Sequence, residues 1–148
     1  MASDLRMHDR RQDRIAAELV LLAEGGRALD ILADVGPVVV IKGASLAELL
    51  WAPGERSMTD VDLLVAPERL EDARRALRAA GWTLLSTPGR PLGSRMHRAA
   101  SAKSPAGILV DVHAHVAQRV RWPVSFDELV ERAVPFTLGK RPALRPAL

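Results

Sequence analysis

The run "TDVDLLVA", Thr59 to Ala66, commits the chain to a sheet. Side chains of a strand alternate between faces, so Val61 and Leu63 point one way while Asp60 and Asp62 point the other. Two like charges on one face repel, and Thr or Val there would make a better strand, so the pair points to a cation that needs both carboxylates. The same repulsion predicts that neutralising one acid, as in Asp62→Asn, leaves the metal-free chain slightly more stable. A plainer reading makes Asp60 a turn or N-cap residue and Asp62 a solvated acid at a strand edge.

Around this strand the periodicities alternate. From Asp13 to Leu32 apolar residues recur at helical spacing (Ile15, Leu19, Leu22, Leu29, Leu32) with Gly25-Gly26 between them, which predicts two amphipathic helices before the sheet. "GPVVVIKG" predicts a buried strand ending near Lys42, and "SLAELLW" a helix with Ser45 near its start. "PERLEDARRALRAAG" reads as a helix with Pro67 in its first turn and Gly81 at its end, and "WTLLS" as a strand. "TPGRPLGS" reads as a loop, after which "RMHRAASA" and "GILVDVHAHV" pair antiparallel through "KSPAG". The fold class expected is α/β (α+β), a mixed central sheet flanked by helices. A helical segment at 1–36 packs on it, a sheet domain spans 37–135, and the proline-bearing stretch 136–148 is expected to fray as a tail.

Composition removes several function classes. The chain's 148 residues and 48% hydrophobic content suit one domain with its own core. No apolar run approaches the roughly 18 residues of a membrane span, and the charged start "MASDLRMHDRRQDR" lacks a signal peptide's apolar stretch, so a cytoplasmic protein is expected. The absence of Cys excludes disulfides and thiolate metal sites, leaving carboxylates and imidazoles as ligands. The net charge of +3 comes mostly from Arg scattered among acids, in no single stripe; a GC-rich coding bias and phosphate binding both account for it. With three Trp, two Phe and no Tyr, a stacking platform for nucleic acid is not expected.

Three features stand in order: Lys42-Gly43-Ala44-Ser45 between a strand and a helix, the Asp60-x-Asp62 pair, and Asp111 in "LVDVHAH". Together they resemble the nucleotidyltransferase fold of the DNA polymerase beta superfamily. Within it, "IKGASLAELLW", "ERSMTDVDLLVAPERLEDARRALRAAGW" and "VDVHAHV" look like a bacterial nucleotidyltransferase family with a Lys-Gly motif, an Arg before the Asp pair and an acid-x-His motif, over residues 10 to 135.

The resemblance implies transfer of a nucleoside monophosphate from a nucleoside triphosphate, ATP first among them, to an acceptor hydroxyl with release of pyrophosphate. It implies Mg²⁺ or Mn²⁺, two ions, held by Asp60, Asp62 and Asp111, which are also the catalytic residues. Lys42, Gly43, Ala44, Ser45 and Arg56 would bind the nucleotide. Ala44 stands where the superfamily usually has Gly or Ser, so Ser45 would supply any hydroxyl contact. Arg56 could instead pair with an acid to hold its loop, and Lys42 could be a solvated strand-end lysine. His113 is an accessory residue with a packing or hydrogen-bonding role, since Mg²⁺ selects oxygen over imidazole.

Two rival readings use the same residues. The family's sheet domain is followed by a helical region that shapes the acceptor site, and here the pattern fades after about Pro135. A truncated product, a form completed by a partner subunit, or an inactive nucleotidyltransferase-like binding or regulatory domain would look like this. "VDVHAH" also resembles the first metal motif of barrel-type metal-dependent hydrolases. Such barrels take about 250 residues and many later ligands, whereas 33 residues (148 − 115) follow His115, with no further His. Fold does not choose the acceptor.

Overall fold

A long helix, α1 (Ala2–Leu32), opens the computed structural model, which describes residues 2–85, 99–116 and 124–147. Gly25-Gly26 does not divide it into the two helices expected. A Cβ on Gly25 would stand 3.0 Å from Leu138 and 3.2 Å from Val61, and one on Gly26 3.0 Å from both Arg141 Cγ and the Leu138 carbonyl oxygen. The pair therefore lets the helix backbone lie close on the sheet. That contact offsets the roughly 1 kcal/mol of helix propensity each glycine costs.

After α1 come β1 (Val39–Ile41), α2 (Lys42–Leu50) and β2 (Asp60–Leu64). A 3₁₀ turn at Pro67–Arg69 then leads into α3 (Leu70–Ala79), where proline suits the first turn because its missing N–H would be unpaired there anyway. Gly81 follows the helix at φ 84°, the left-handed residue that commonly ends one. Next come β3 (Thr83–Leu85), β4 (Ala99–Lys103), β5 (Leu109–His113), α4 (Phe126–Glu131), β6 (Val134–Leu138) and β7 (Arg141–Arg145). The loop expected at "TPGRPLGS" lies outside the described residues. Ser125 caps α4 with a reciprocal Glu128 capping box.

The seven strands form one mixed sheet in the order β3-β4-β5-β2-β1-β7-β6. The last two correct the expectation of a frayed tail at 136–148. Gly139 and Lys140, at φ 53° and 66°, make the two-residue left-handed turn that matches strand twist, and β6 and β7 pair antiparallel across it. Pro135 is tolerated because β6 is an edge strand. β7 then pairs parallel to β1 at Val39↔Leu144, supporting the strand that leads into Lys42.

The two faces of the sheet differ. Val40, Val61, Leu63, Ala100, Ala102, Val110 and Val112 form the main core with Leu21, Ala28 and Leu32 of α1 and Leu70, Ala73 and Leu77 of α3. On the opposite face Val39, Ile41 and Leu64 make a small cluster with Leu144 and with Phe126, Leu129 and Val130 of α4. Beyond that cluster the second face becomes polar. Period-two alternation with the aligned register puts Asp60, Asp62, Ser101, Asp111 and His113 there.

Candidate metal centre

β2 and β5 run parallel in a register that pairs Asp62 with Asp111 and Leu64 with His113. One ligand atom each from Asp62, Asp111 and His113 comes within 4.8 Å of the others, close enough for a single ion to touch all three. The same register sets Asp60 opposite Leu109, so Asp60 has no acid across from it. Asp60 stands outside the group and accepts instead from Thr59 Oγ1 at 3.3 Å. Of the three acids expected to hold metal, Asp62 and Asp111 come together with His113 among the described residues, and Asp60 is not in that group.

Asp62 is buried, and its Oδ1 is the hub. Lys42 Nζ donates to it at 2.5 Å and His113 Nε2 at 2.7 Å. A carboxylate only accepts, so the imidazole proton sits on Nε2. Lys42 Nζ is 3.5 Å from that nitrogen, so the ammonium and the imidazole meet at the same oxygen. Burial alone would push the Asp62 carboxyl up, but the hydrogen bonds from His113 and Lys42, with the charge of Lys42, outweigh it and hold the group below its usual range.

The sign of the pH dependence follows. A depressed folded-state value means the carboxylate contributes stability that is complete above the unfolded carboxylate range and is lost as pH falls through the folded value. Urea unfolding of the metal-free protein is expected to show this loss below about pH 4. The Asp62→Asn chain should lose less over the same window. Parallel profiles for the two proteins would refute the assignment to Asp62.

Lys42 reaches Asp62 because of its backbone. Its φ of 56° is left-handed, a conformation costing a residue with a Cβ roughly 1 kcal/mol or more, and it turns β1 into α2 within one residue. Ser45 is buried, and its hydroxyl donates to the Lys42 carbonyl at 2.8 Å, bracing the turn. Arg145 Nη1 donates to the Ser45 carbonyl at 3.3 Å, tying β7 to the same turn. Ala44 is buried in the main core. Gly43 is uncrowded: a Cβ there would meet only Met58, at 3.7 Å. Arg56 stacks on Trp51, 4.3 Å from the ring centroid, in the loop before β2. That loop docks on α1, where the Gly54 N–H donates to Glu18 at 2.8 Å.

Two relations escaped the sequence reading, the direct bond of His113 to Asp62 and the ion pair of Lys42 with Asp62. The one signal available in the sequence is period two in "VDVHAH", which puts His113 on the same face as Asp111.

The two carboxylates and the imidazole form a donor set that could hold a metal ion. No described helix is long and apolar enough to cross a membrane. A family model described as an uncharacterised nucleotidyltransferase matches residues 1–148. Among curated proteins, none matches the chain.

Proposed function

We propose, from the premise that the chain belongs to this family of uncharacterised nucleotidyltransferases, that it transfers a nucleoside monophosphate from a nucleoside triphosphate to an acceptor hydroxyl. The observation that carries the reading is the convergence of Asp62, Asp111 and His113 on the polar sheet face, beside the turn where β1 becomes α2. Gly43 supports it. Neither a left-handed φ nor a crowded Cβ occupies that position, so the space beside its backbone is open to a phosphate.

Asp62, Asp111 and His113 would hold the metal, Mg²⁺ or Mn²⁺ in one or two copies, which supplies positive charge against the triphosphate and departing pyrophosphate. The backbone N–H groups at the start of α2 bind phosphate oxygens, whose charge they attract. The acceptor oxygen bonds to the α-phosphorus as the bond from that phosphorus to the bridging oxygen breaks, and its electron pair leaves with pyrophosphate. The hydroxyl proton passes to the Asp111 carboxylate and then to solvent. Arg56, released from Trp51, contacts the outer phosphates.

Calorimetry with ATP, GTP, CTP and UTP, each with Mg²⁺ or Mn²⁺, is expected to show binding of at least one triphosphate. Pyrophosphate release should then follow with one member of an acceptor panel. Failure of all four triphosphates at millimolar concentration with both metals overturns the proposal. Binding without release for any acceptor would instead favour a domain that binds nucleotide and does not turn it over, the reading to which the position of Asp60 outside the cluster lends weight.

A further inference from the structure

The ammonium of Lys42 lies 2.5 Å from Asp62 Oδ1, an oxygen that also accepts from His113. An sp² oxygen has two lone pairs in its plane, and these two donors use both. A cation joining Asp62 to Asp111, whichever Asp62 oxygen it takes, brings its charge to a carboxylate that Lys42 already neutralises, and so competes with the ammonium for it. It also brings two positive charges to within a few ångströms of a third. Asp62 cannot move away, since its side chain is 8% exposed and it is held in the centre of the sheet; Lys42, 55% exposed at the side chain, can.

We propose that Lys42 is an exchangeable internal counter-cation: it neutralises Asp62 while the metal site is empty, and a divalent cation expels it toward the phosphates of the bound nucleotide. This inference rests on the metal-dependent reading above and goes beyond it, because a lysine that only bound phosphate would not compete with the metal. The left-handed backbone at Lys42 gives the device its geometry. It sets Lys42 at the junction of β1 and α2, beside the first N–H groups of α2, with its flexible side chain reaching Asp62. Charge accounting favours the exchange. The ammonium leaves a carboxylate that has gained a stronger cation and meets a triphosphate that needs one.

Titration with Mn²⁺ alone, followed by its electron paramagnetic resonance signal, tests the competition without any turnover. Lys42→Met removes the charge and keeps the stem. Lys42→Gly removes both and suits a φ of 56°, so it provides a folded comparison should the Met variant prove unstable. Both are expected to bind Mn²⁺ about tenfold or more tightly than wild type, the order of effect that relief of a like-charge contact gives. Both should also lose most of the increase in Mn²⁺ affinity that ATP produces in wild type, because the released ammonium is no longer there to meet it. If wild type binds Mn²⁺ and the variants bind it equally or more weakly, Lys42 does not compete and the exchange is refuted while the metal site stands. If none of the three binds Mn²⁺ at millimolar concentration, the metal-dependent reading fails and the exchange fails with it.

Discussion

Asp62→Asn is expected to destabilise the metal-free protein by about 1–2 kcal/mol and to abolish the stabilisation that metal with nucleotide gives wild type. The charge-repulsion argument from "TDVDLL" predicts the opposite sign for the first effect. It fails because the nearest charged neighbour of Asp62 is not Asp60. Lys42 and His113 both donate to its Oδ1, and their contribution exceeds the cost of burying the carboxylate. Removing one partner of a fully buried ion pair costs about 3–5 kcal/mol. The smaller figure applies here because the stranded lysine is half exposed and regains water. Thermal melts in chelator and with Mn²⁺ plus ATP measure both effects. A mutant more stable than wild type in chelator would restore the repulsion argument and remove the ion pair from the account.

Gly139→Ala is expected to cost about 3–5 kcal/mol, a large part of the roughly 5–15 kcal/mol that keeps a typical domain folded. The backbone there is left-handed at φ 53°, which by itself costs an alanine roughly 1–2 kcal/mol. The larger part comes from α1. An added Cβ would stand 2.1 Å from the Leu22 carbonyl oxygen and 2.6 Å from its carbon, both backbone atoms of a helix that cannot turn aside. Gly81→Ala provides the control, with a φ of 84° and nothing within 4 Å of the added carbon, so only the backbone cost of about 1–2 kcal/mol remains. Urea unfolding of the two variants separates the contributions. Equal losses would mean that the hairpin and α1 are not in the close contact described.

The features legible in the sequence were local ones. Alternation in "DVDLL" and "LVDVH" marked β2 and β5, proline and Gly81 bracketed the helix between β2 and β3, and the strand-to-helix turn at Lys42 was marked by β-branched residues and glycine. Register was hidden, because it is set by pairing between strands distant in sequence. That is why the metal group could be expected around both acids of the pair while the structure joins only Asp62 to Asp111 and sets Asp60 opposite Leu109. The two errors at glycine and proline share one physical origin. Gly25-Gly26 as a helix break and the proline-bearing 136–148 as a frayed tail are sound expectations from propensity, and tertiary contact reversed both. The signal that could have found the hairpin was the two-residue Gly139-Lys140 turn between alternating runs.

The register that unites the site also dates it during folding. Asp62 and Asp111 are 49 residues apart (111 − 62), and Lys42 and His113 are separated by 71. By contrast β4 with β5, and β6 with β7, are joined by short connections and can pair early, at small loop-closure cost. The carboxylates are therefore expected to meet late, when β2 docks beside β5. Until then the chain carries its acids as separated, hydrated charges. The docking that crowds Asp62 against Asp111 is the same one that brings His113, carried on β5, to Asp62.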